Sequence, residues 1–274
     1  MIEATPVAPG LESLQKTLLL PLWGRAEASR MQSPVLTDLR AVELIGRMDY
    51  DFSRLSRQLG TFCALSLAAR AKEFDAVLLD FVKRKGNVTA VNLGAGLDTA
   101  FCRVKSERLR WVDIDLPDVI ALRRKLLPET REMEEIPKSM FDGSIRGDIG
   151  EAENVLFIIG GVLMYFGEAR VRQLFEQLSG QFRNAEMVFD TFTPLGVLYC
   201  NRRLAKSGFH NAGMKWGIRN PGRMERWSPR LKIVRHFSVY ANIRPQRSYP
   251  LQTRVMIRLA RLLRPASIVH LEIR

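Results

Sequence analysis

Two glycines and four acids, most of them at the ends of short apolar runs, are the residues whose types and spacing point to chemistry in this chain. The first group reads Asn92-Leu93-Gly94-Ala95-Gly96-Leu97-Asp98-Thr99. Paired glycines let the backbone turn sharply and approach a ligand with no side chain between. A dinucleotide loop would continue to Gly or Ala at position 99 and grip a pyrophosphate at a helix N-terminus. Thr99 stands there instead, and Asp98 would repel a phosphate. A nicotinamide dehydrogenase is therefore disfavoured, and a cationic or hydroxylated ligand is expected. The second group, Asp113-Ile114-Asp115, ends the next run. A carboxylate there can accept both hydroxyls of a ribose, whichever nucleoside carries it. The third is Lys138-Ser139-Met140-Phe141-Asp142, where an acid can accept from an adenine amino group.

These groups need a frame that brings strand ends together. VTAVNLG (88–94), LRWVDID (109–115), NVLFIIGGVLMY (154–165) and AEMVFDTF (185–192) read as strands, with helical stretches at 118–127 and 168–182 between them. Strands alternating with helices predict an α/β, doubly wound, mostly parallel sheet, whose ligands bind beyond the carboxyl ends of its strands. Two later strands are expected at 231–240 and 266–273, the latter holding His270 in a structural role. Ahead of the sheet, 11–33, 36–59 and 61–85 carry helical periodicity, the last ended by Gly86.

The chain has 274 residues and a net charge of +13, unevenly placed: residues 202–274 hold 17 Lys and Arg against Glu225 and Glu272. Such a basic third fits nucleic acid, an anionic membrane surface, an acidic substrate or plain solvation. Cys63, Cys102 and Cys200 form no CxxC pair, so neither a disulfide framework nor a metal site is expected. No apolar run is long enough to span a membrane and no secretory signal is visible, so the expected location is cytoplasmic. In LQTRVMIRLARLLR (251–264), Arg254, Arg258 and Arg261 share one helical face and Val255, Leu259 and Leu262 another. The expectation is a packed helix between the last two strands, not a membrane-surface element.

KTLLLPLWGRAEASR, VNLGAGLDTAFCRV, WVDIDLPDVIALRRKLLP, GGVLMYFGEARVRQLF and FDTFTPLG, with KWGIRNP further on, follow one another from residue 16. Together they resemble the leucine carboxyl methyltransferase family, in particular its bacterial tetracenomycin polyketide O-methyltransferase-like branch. The resemblance implies a Rossmann-like fold with a seven-stranded sheet and an N-terminal helical lid, here 1–60, before a methyltransferase domain at 61–274. It implies S-adenosylmethionine (SAM) as cofactor, no metal, and O-methylation of a small carboxylate or phenolic, polyketide-like acceptor in secondary metabolism.

It also implies roles. Arg70 would pair with the methionine carboxylate of SAM. Gly94, Ala95 and Gly96, with Asn92 and Asp98, would form the cofactor loop; Asp115, with Asp113 and Ile114, the ribose site; Ser139, Phe141 and Asp142 the adenine site. Lys16 and Arg25 fall in the lid, and Gly161 and Tyr165 face the site. Relatives carry Glu where this chain has Gly160, and that Glu helps hold the ammonium of SAM. Its loss is worth about 1.5–3 kcal/mol, which leaves a second reading open: a degenerate cofactor site in a non-methylating or binding protein. For an acceptor that must lose a proton, Tyr165, His210 and His236 are the candidate bases. Arg202, Arg203 and Lys206 are the charges expected to face the acceptor. A nucleic-acid methyltransferase is disfavoured because GGVLMYF is not the Asn/Asp-Pro-Pro-aromatic loop of base-amino methylation.

Overall fold

Strands whose every side chain is apolar must be covered on both faces, and that requirement builds the centre of this molecule. The computed structural model describes residues 7–9, 15–127, 133–143, 145–152, 154–207, 209 and 212–274. Five strands run parallel: β1 (Val88–Leu93), β2 (Leu109–Asp115), β3 (Met133–Pro137), β4 (Val155–Ile159) and β5 (Ala185–Phe192). β7 (Ala266–Ile273) is antiparallel to both β5 and β6 (Leu231–Ser238). The order across the sheet is β3-β2-β1-β4-β5-β7-β6. Chain order reverses direction between β1 and β4, which opens a crevice at their carboxyl ends.

The helices are α1 (Leu19–Ser29), α2 (Leu39–Arg47), α3 (Phe52–Lys85), α4 (Ala100–Arg103), α5 (Pro117–Leu126), α6 (Ile145–Ile149), α7 (Glu168–Gln181), α8 (Pro194–Lys206) and α9 (Leu251–Leu263). One core lies on the α7 face, where Phe175 meets Phe189 and Trp227 edge to face. The other lies under α3 and α9, around Leu78, Phe81, Trp111 and Ile257. A third joins the N-terminal helices to α5 and α8 through Leu19, Trp23, Leu44, Leu55, Leu122 and Leu204.

The doubly wound sheet is as expected. The expected run 154–165 stops at Ile159, where Gly160 and Gly161 (φ +76°) turn the chain into the crevice. The expected stretch 36–59 divides at residues 48–51 into α2 and the start of α3. α3 is interrupted at Gly60 (φ +70°, ψ 178°), between the two stretches read from periodicity. β3 and α8 were not foreseen.

His270 is structural, as expected: its Nε2 lies 2.6 Å from Glu186 Oε2 across the β5–β7 pair. Arg84 closes on the same carboxylate with two hydrogen bonds of 3.0 and 2.8 Å. Burial would raise the Glu186 pKa, but the His270 and Arg84 contacts override it and bring it down to about 2. The folded value lies below the unfolded one. The stabilisation is therefore present above about pH 4.5 and is lost as the pH falls toward 2. Discounted for the half-exposed Arg84, it amounts to about 2 kcal/mol. Glu186→Gln is expected to lower stability by that order at pH 7 in urea titrations, and the gap to the parent should narrow between pH 4.5 and 2.

Candidate functional site

Gly94 and Gly96 both have positive φ (+71° and +51°), so the loop after β1 takes a path that other residues rarely follow. Gly94 N–H donates to the Ile114 carbonyl at 2.8 Å and Gly96 N–H to Asp115 Oδ2 at 2.7 Å. Arg123, 1% exposed on α5, donates Nη1 to the carbonyls of Gly96 (2.8 Å) and Asp98 (3.2 Å). Its Nη2 binds Asp113 and its Nε binds Glu135 at 3.1 Å. On the other side Arg25, from α1, donates Nη2 to the Leu97 carbonyl at 2.7 Å and Nε to Asp38 at 2.9 Å.

Asp38 is the hub of this second clamp. Its carboxylate caps α2 through Ala41 N–H (2.9 Å) and accepts from Thr99 Oγ1 (2.5 Å) and Arg103 Nη1 (2.7 Å). Burial would raise its pKa, yet Arg25 and Arg103 hold it below the ordinary carboxylate value. Arg103 also grips Asp75 with two hydrogen bonds. Nothing in the single sequence marked Arg103, Asp75, Arg123 or Asp38, because their partners lie far apart in the chain.

The clamped loop walls a cavity of about 340 Å³, within the roughly 300–1,000 Å³ of small-molecule sites. Arg25, Arg70, Asn92, Gly94, Ala95, Gly96, Asp98, Asp115, Ser139, Phe141, Gly160, Gly161 and Tyr165, all expected at a site, line it. Its carboxylates are Asp98 and Asp115. Burial pushes Asp98 up, but Arg103, Arg25 and the Thr99 N–H bring it below its ordinary value, so it faces the cavity ionised. Burial raises Asp115. Each Asp115 oxygen accepts one backbone N–H, from Gly96 and Leu116, which leaves each a further lone pair on a side chain that lines the cavity.

Other expected residues stand elsewhere. Asp113 is 1% exposed and closed off by Arg123 and Asn92, so it supports the loop from below. Ile114 is core and contributes only its carbonyl. Asp142 points outward, 3.6 Å from Lys138 Nζ, and Lys16 is exposed outside the cavity wall. His236 lies exposed on edge strand β6. His210 lies outside the described residues. Arg25 does line the cavity, but with its guanidinium committed to Asp38 and Leu97 it acts as a clamp.

Gly160 is filled from outside. A Cβ there would sit 2.6 Å from Cε2 of Phe74, which lines the same cavity. At Gly161 a Cβ would meet Arg70 Nη1 at 2.5 Å. Arg70 Nη1 donates to Asp190 Oδ2 at 3.0 Å, and Asp190 Oδ1 accepts from Gly161 N–H at 2.6 Å. Asp190, 1% exposed at the end of β5, is the site residue that sequence reasoning missed. Its signal was its place in FDTF, at the end of an apolar run.

A second chamber of about 170 Å³ shares Thr17, Pro21, Arg70, Gly161 and Tyr165 with the first. Its walls are largely apolar, with Phe62 stacked on Tyr240 at 5.6 Å and 6°. Arg203 lines it while donating to the carbonyls of Gln58 and Leu59 at the α3 break; Arg202 and Lys206 do not reach it. Cys63 and Cys200 are free, and burial pushes their thiols up to about 11 and about 12, so neither is a thiolate nucleophile. Tyr165 is raised by burial as well, the wrong direction for a base. No group of three metal-ligating side chains occurs among the described residues, and no described helix is long and apolar enough to cross a membrane.

The steric reading of Gly160 is testable. Gly160→Glu is expected to cost about 1–3 kcal/mol by overpacking against Phe74. The same substitution in a Phe74→Ala background should cost less, a coupling that a double-mutant cycle of thermal melts reads directly.

Comparison with known proteins bears on the fold and on what the chain is similar to. A sequence model of the leucine carboxyl methyltransferase family matches residues 20–142. The tetracenomycin polyketide synthesis O-methyltransferase TcmP of Streptomyces glaucescens is 29% identical over 232 residues, 84% of either chain. The S-adenosyl-L-methionine-dependent methyltransferase dpfgK of Gibberella zeae is 28% identical over 242 residues, 81% of either chain. A solved SAM-dependent methyltransferase from Anabaena variabilis superposes with a TM-score of 0.50 at 13% identity, covering 73% of this chain and 85% of its own. The fold is therefore the Rossmann-like one of SAM-dependent methyltransferases.

Proposed function

We propose, from the premise that this chain is a relative of the leucine carboxyl methyltransferases, that it is a SAM-dependent O-methyltransferase acting on a small aromatic acid. The observation that carries the proposal is the pair of joined chambers, one polar and glycine-walled, the other apolar, meeting at Arg70, Gly161 and Tyr165.

The residues present fit SAM. Positive-φ glycines leave the loop backbone bare, and Asp115 keeps lone pairs for ribose hydroxyls. Arg70 has Nε and Nη2 in addition to the Nη1 given to Asp190, and these suit a methionine carboxylate. Ionised Asp98 is the carboxylate offered to the cationic end, in place of the Glu that Gly160 and Phe74 leave no room for. Ser139 and Phe141 border the adenine end, where the Arg170 guanidinium covers the Phe141 ring at 4.4 Å. When bound, SAM would supply an electrophilic methyl carbon on its sulfonium, to which an acceptor oxygen can bond as the thioether leaves.

The apolar chamber decides the acceptor. Aromatic walls suit a planar ring, and Arg203 is a cation without a carboxylate partner in that wall. No described residue lining it is a histidine, Asp190 is engaged by Arg70 and Gly161, and Tyr165 is held protonated. An acceptor that is already ionised fits best, because a carboxylate needs no base. Thr17, in the turn before α1, and Pro21 and Arg25 of α1 close the roof, so the N-terminal helices exclude water as a lid.

With methyl-labelled SAM and a panel of aromatic carboxylic acids and phenols, label is expected in the carboxylates at a rate nearly flat from pH 6 to 9. Phenols should be slower and gain about tenfold per pH unit below their own pKa. Arg203→Gln should raise KM for the carboxylate about tenfold or more with kcat little changed, and Arg203→Lys should recover part of it. Label in no acceptor, with SAM left intact, would favour the non-methylating reading instead.

A further inference from the structure

The packed-helix expectation for residues 251–264 holds for only one side of α9. Thr253, Ile257 and Ala260 are buried, and the helix packs on α3. The apolar row read from the sequence faces outward, with Val255 42% exposed, Leu259 50% and Leu262 77%, and Leu251, 65% exposed, extends it. Spacings of four, four and three residues set these side chains in one stripe along the helix. Arg254, Arg258 and Arg261 run beside the stripe, and α9 contains no acid.

α8 repeats the pattern. Leu195, Leu198 and Tyr199 are exposed, with Arg202 and Lys206 one to two turns on. The start of α8 meets the residue that follows α9: Thr193 N–H donates to the Pro265 carbonyl at 3.0 Å, and a Cβ on Gly196 would come within 2.4 Å of that oxygen. The exposed leucines at the start of α8 and at the end of α9 therefore flank one junction. Gly196, Tyr199 and Pro265 at that junction are also walls of the apolar chamber.

We propose that the α8–α9 face docks on an anionic lipid surface, with the leucines in the acyl boundary and the arginines at the headgroups. This goes beyond methyl transfer and stands on the two helices alone. Charge selects the occupant. A second copy would bring like-charged arginines and a net charge of +13 against their own kind. RNA would meet the arginines but leave the leucines wet, and Tyr199 is the single exposed aromatic side chain among the large exposed hydrophobics. A ridge of flexible aliphatic side chains bordered by arginine matches a fluid anionic layer, which closes around the leucines and pairs with the cations.

The test is co-flotation of the full chain with vesicles of phosphatidylcholine, alone or mixed with phosphatidylglycerol, at 0.1 M salt. The parent is expected to bind the mixed vesicles roughly tenfold or more tightly than the neutral ones, at about 1 kcal/mol, or fivefold, per arginine near the surface. Leu259→Gln with Leu262→Gln should abolish flotation on both. Arg258→Gln with Arg261→Gln should remove only the preference for phosphatidylglycerol. All four residues are exposed, and unchanged melting temperatures would show that the variants fold. The proposal is overturned if the parent does not float, or if the leucine variant floats as the parent does. It is equally overturned if the leucine pair instead dissolves a dimer in size-exclusion chromatography, which would make the face an interface between copies.

Discussion

Two buried arginines hold the carbonyls of the loop after β1, and the rest of the site depends on that grip. Arg123 takes the carbonyls of Gly96 and Asp98 from the α5 side; Arg25 takes that of Leu97 from α1. A loop with two positive-φ glycines has little local reason to keep one shape, and ordering it costs more entropy than ordering other residues would. Guanidinium groups with fixed forks supply the missing definition. They also bring charge into the interior, which is tolerable only where it is paired. Asp113 and Glu135 answer Arg123, and Asp38 answers Arg25. The acids read as candidate ligands thus divide into those that hold the loop and those that face the cavity.

The same grip joins the N-terminal helices to the sheet. Asp38 binds Arg25 of α1, Thr99 beside the loop and Arg103 of α4, and Arg103 reaches on to Asp75 of α3. The roof over the cavity and the floor beneath it therefore share one buried charge network. The site stands or falls as a unit, and a change at Asp38 would reach the loop after β1 without touching the cavity.

The central strands were legible because β1, β4 and β5 are buried on both faces and read as largely apolar, β-branched or aromatic runs, unbroken in β4. The Gly86 stop followed from glycine alone, and the division of the two stretches at residue 60 followed from their periodicity. β3, Met133–Pro137, was not legible, since a charged MEEIP segment at the sheet edge has no apolar pattern. At the site, the loop glycines and Asp115 could be read from type and position. Asp113 and Asp115 could not be told apart, because spacing does not say which carboxylate an arginine from α5 will take. Gly160 looked like a lost ligand; Phe74, 86 positions earlier in the chain, fills the space. The outward row on α9 was visible as a pattern, yet a hydrophobic stripe alone does not say which side meets the core. Asp190 went unnoticed because one acid ending an apolar strand carries no motif.

The central claim is that Asp98 and Asp115, on a loop held from both sides, form a working SAM site despite Gly160. Calorimetric titration of the purified protein with SAM tests it most directly, repeated on Asp98→Asn, which keeps the loop's backbone partners but removes the charge. The account predicts micromolar binding by the parent and a loss of about tenfold to a hundredfold in the variant. No binding by the parent, or equal binding by the two proteins, would contradict it.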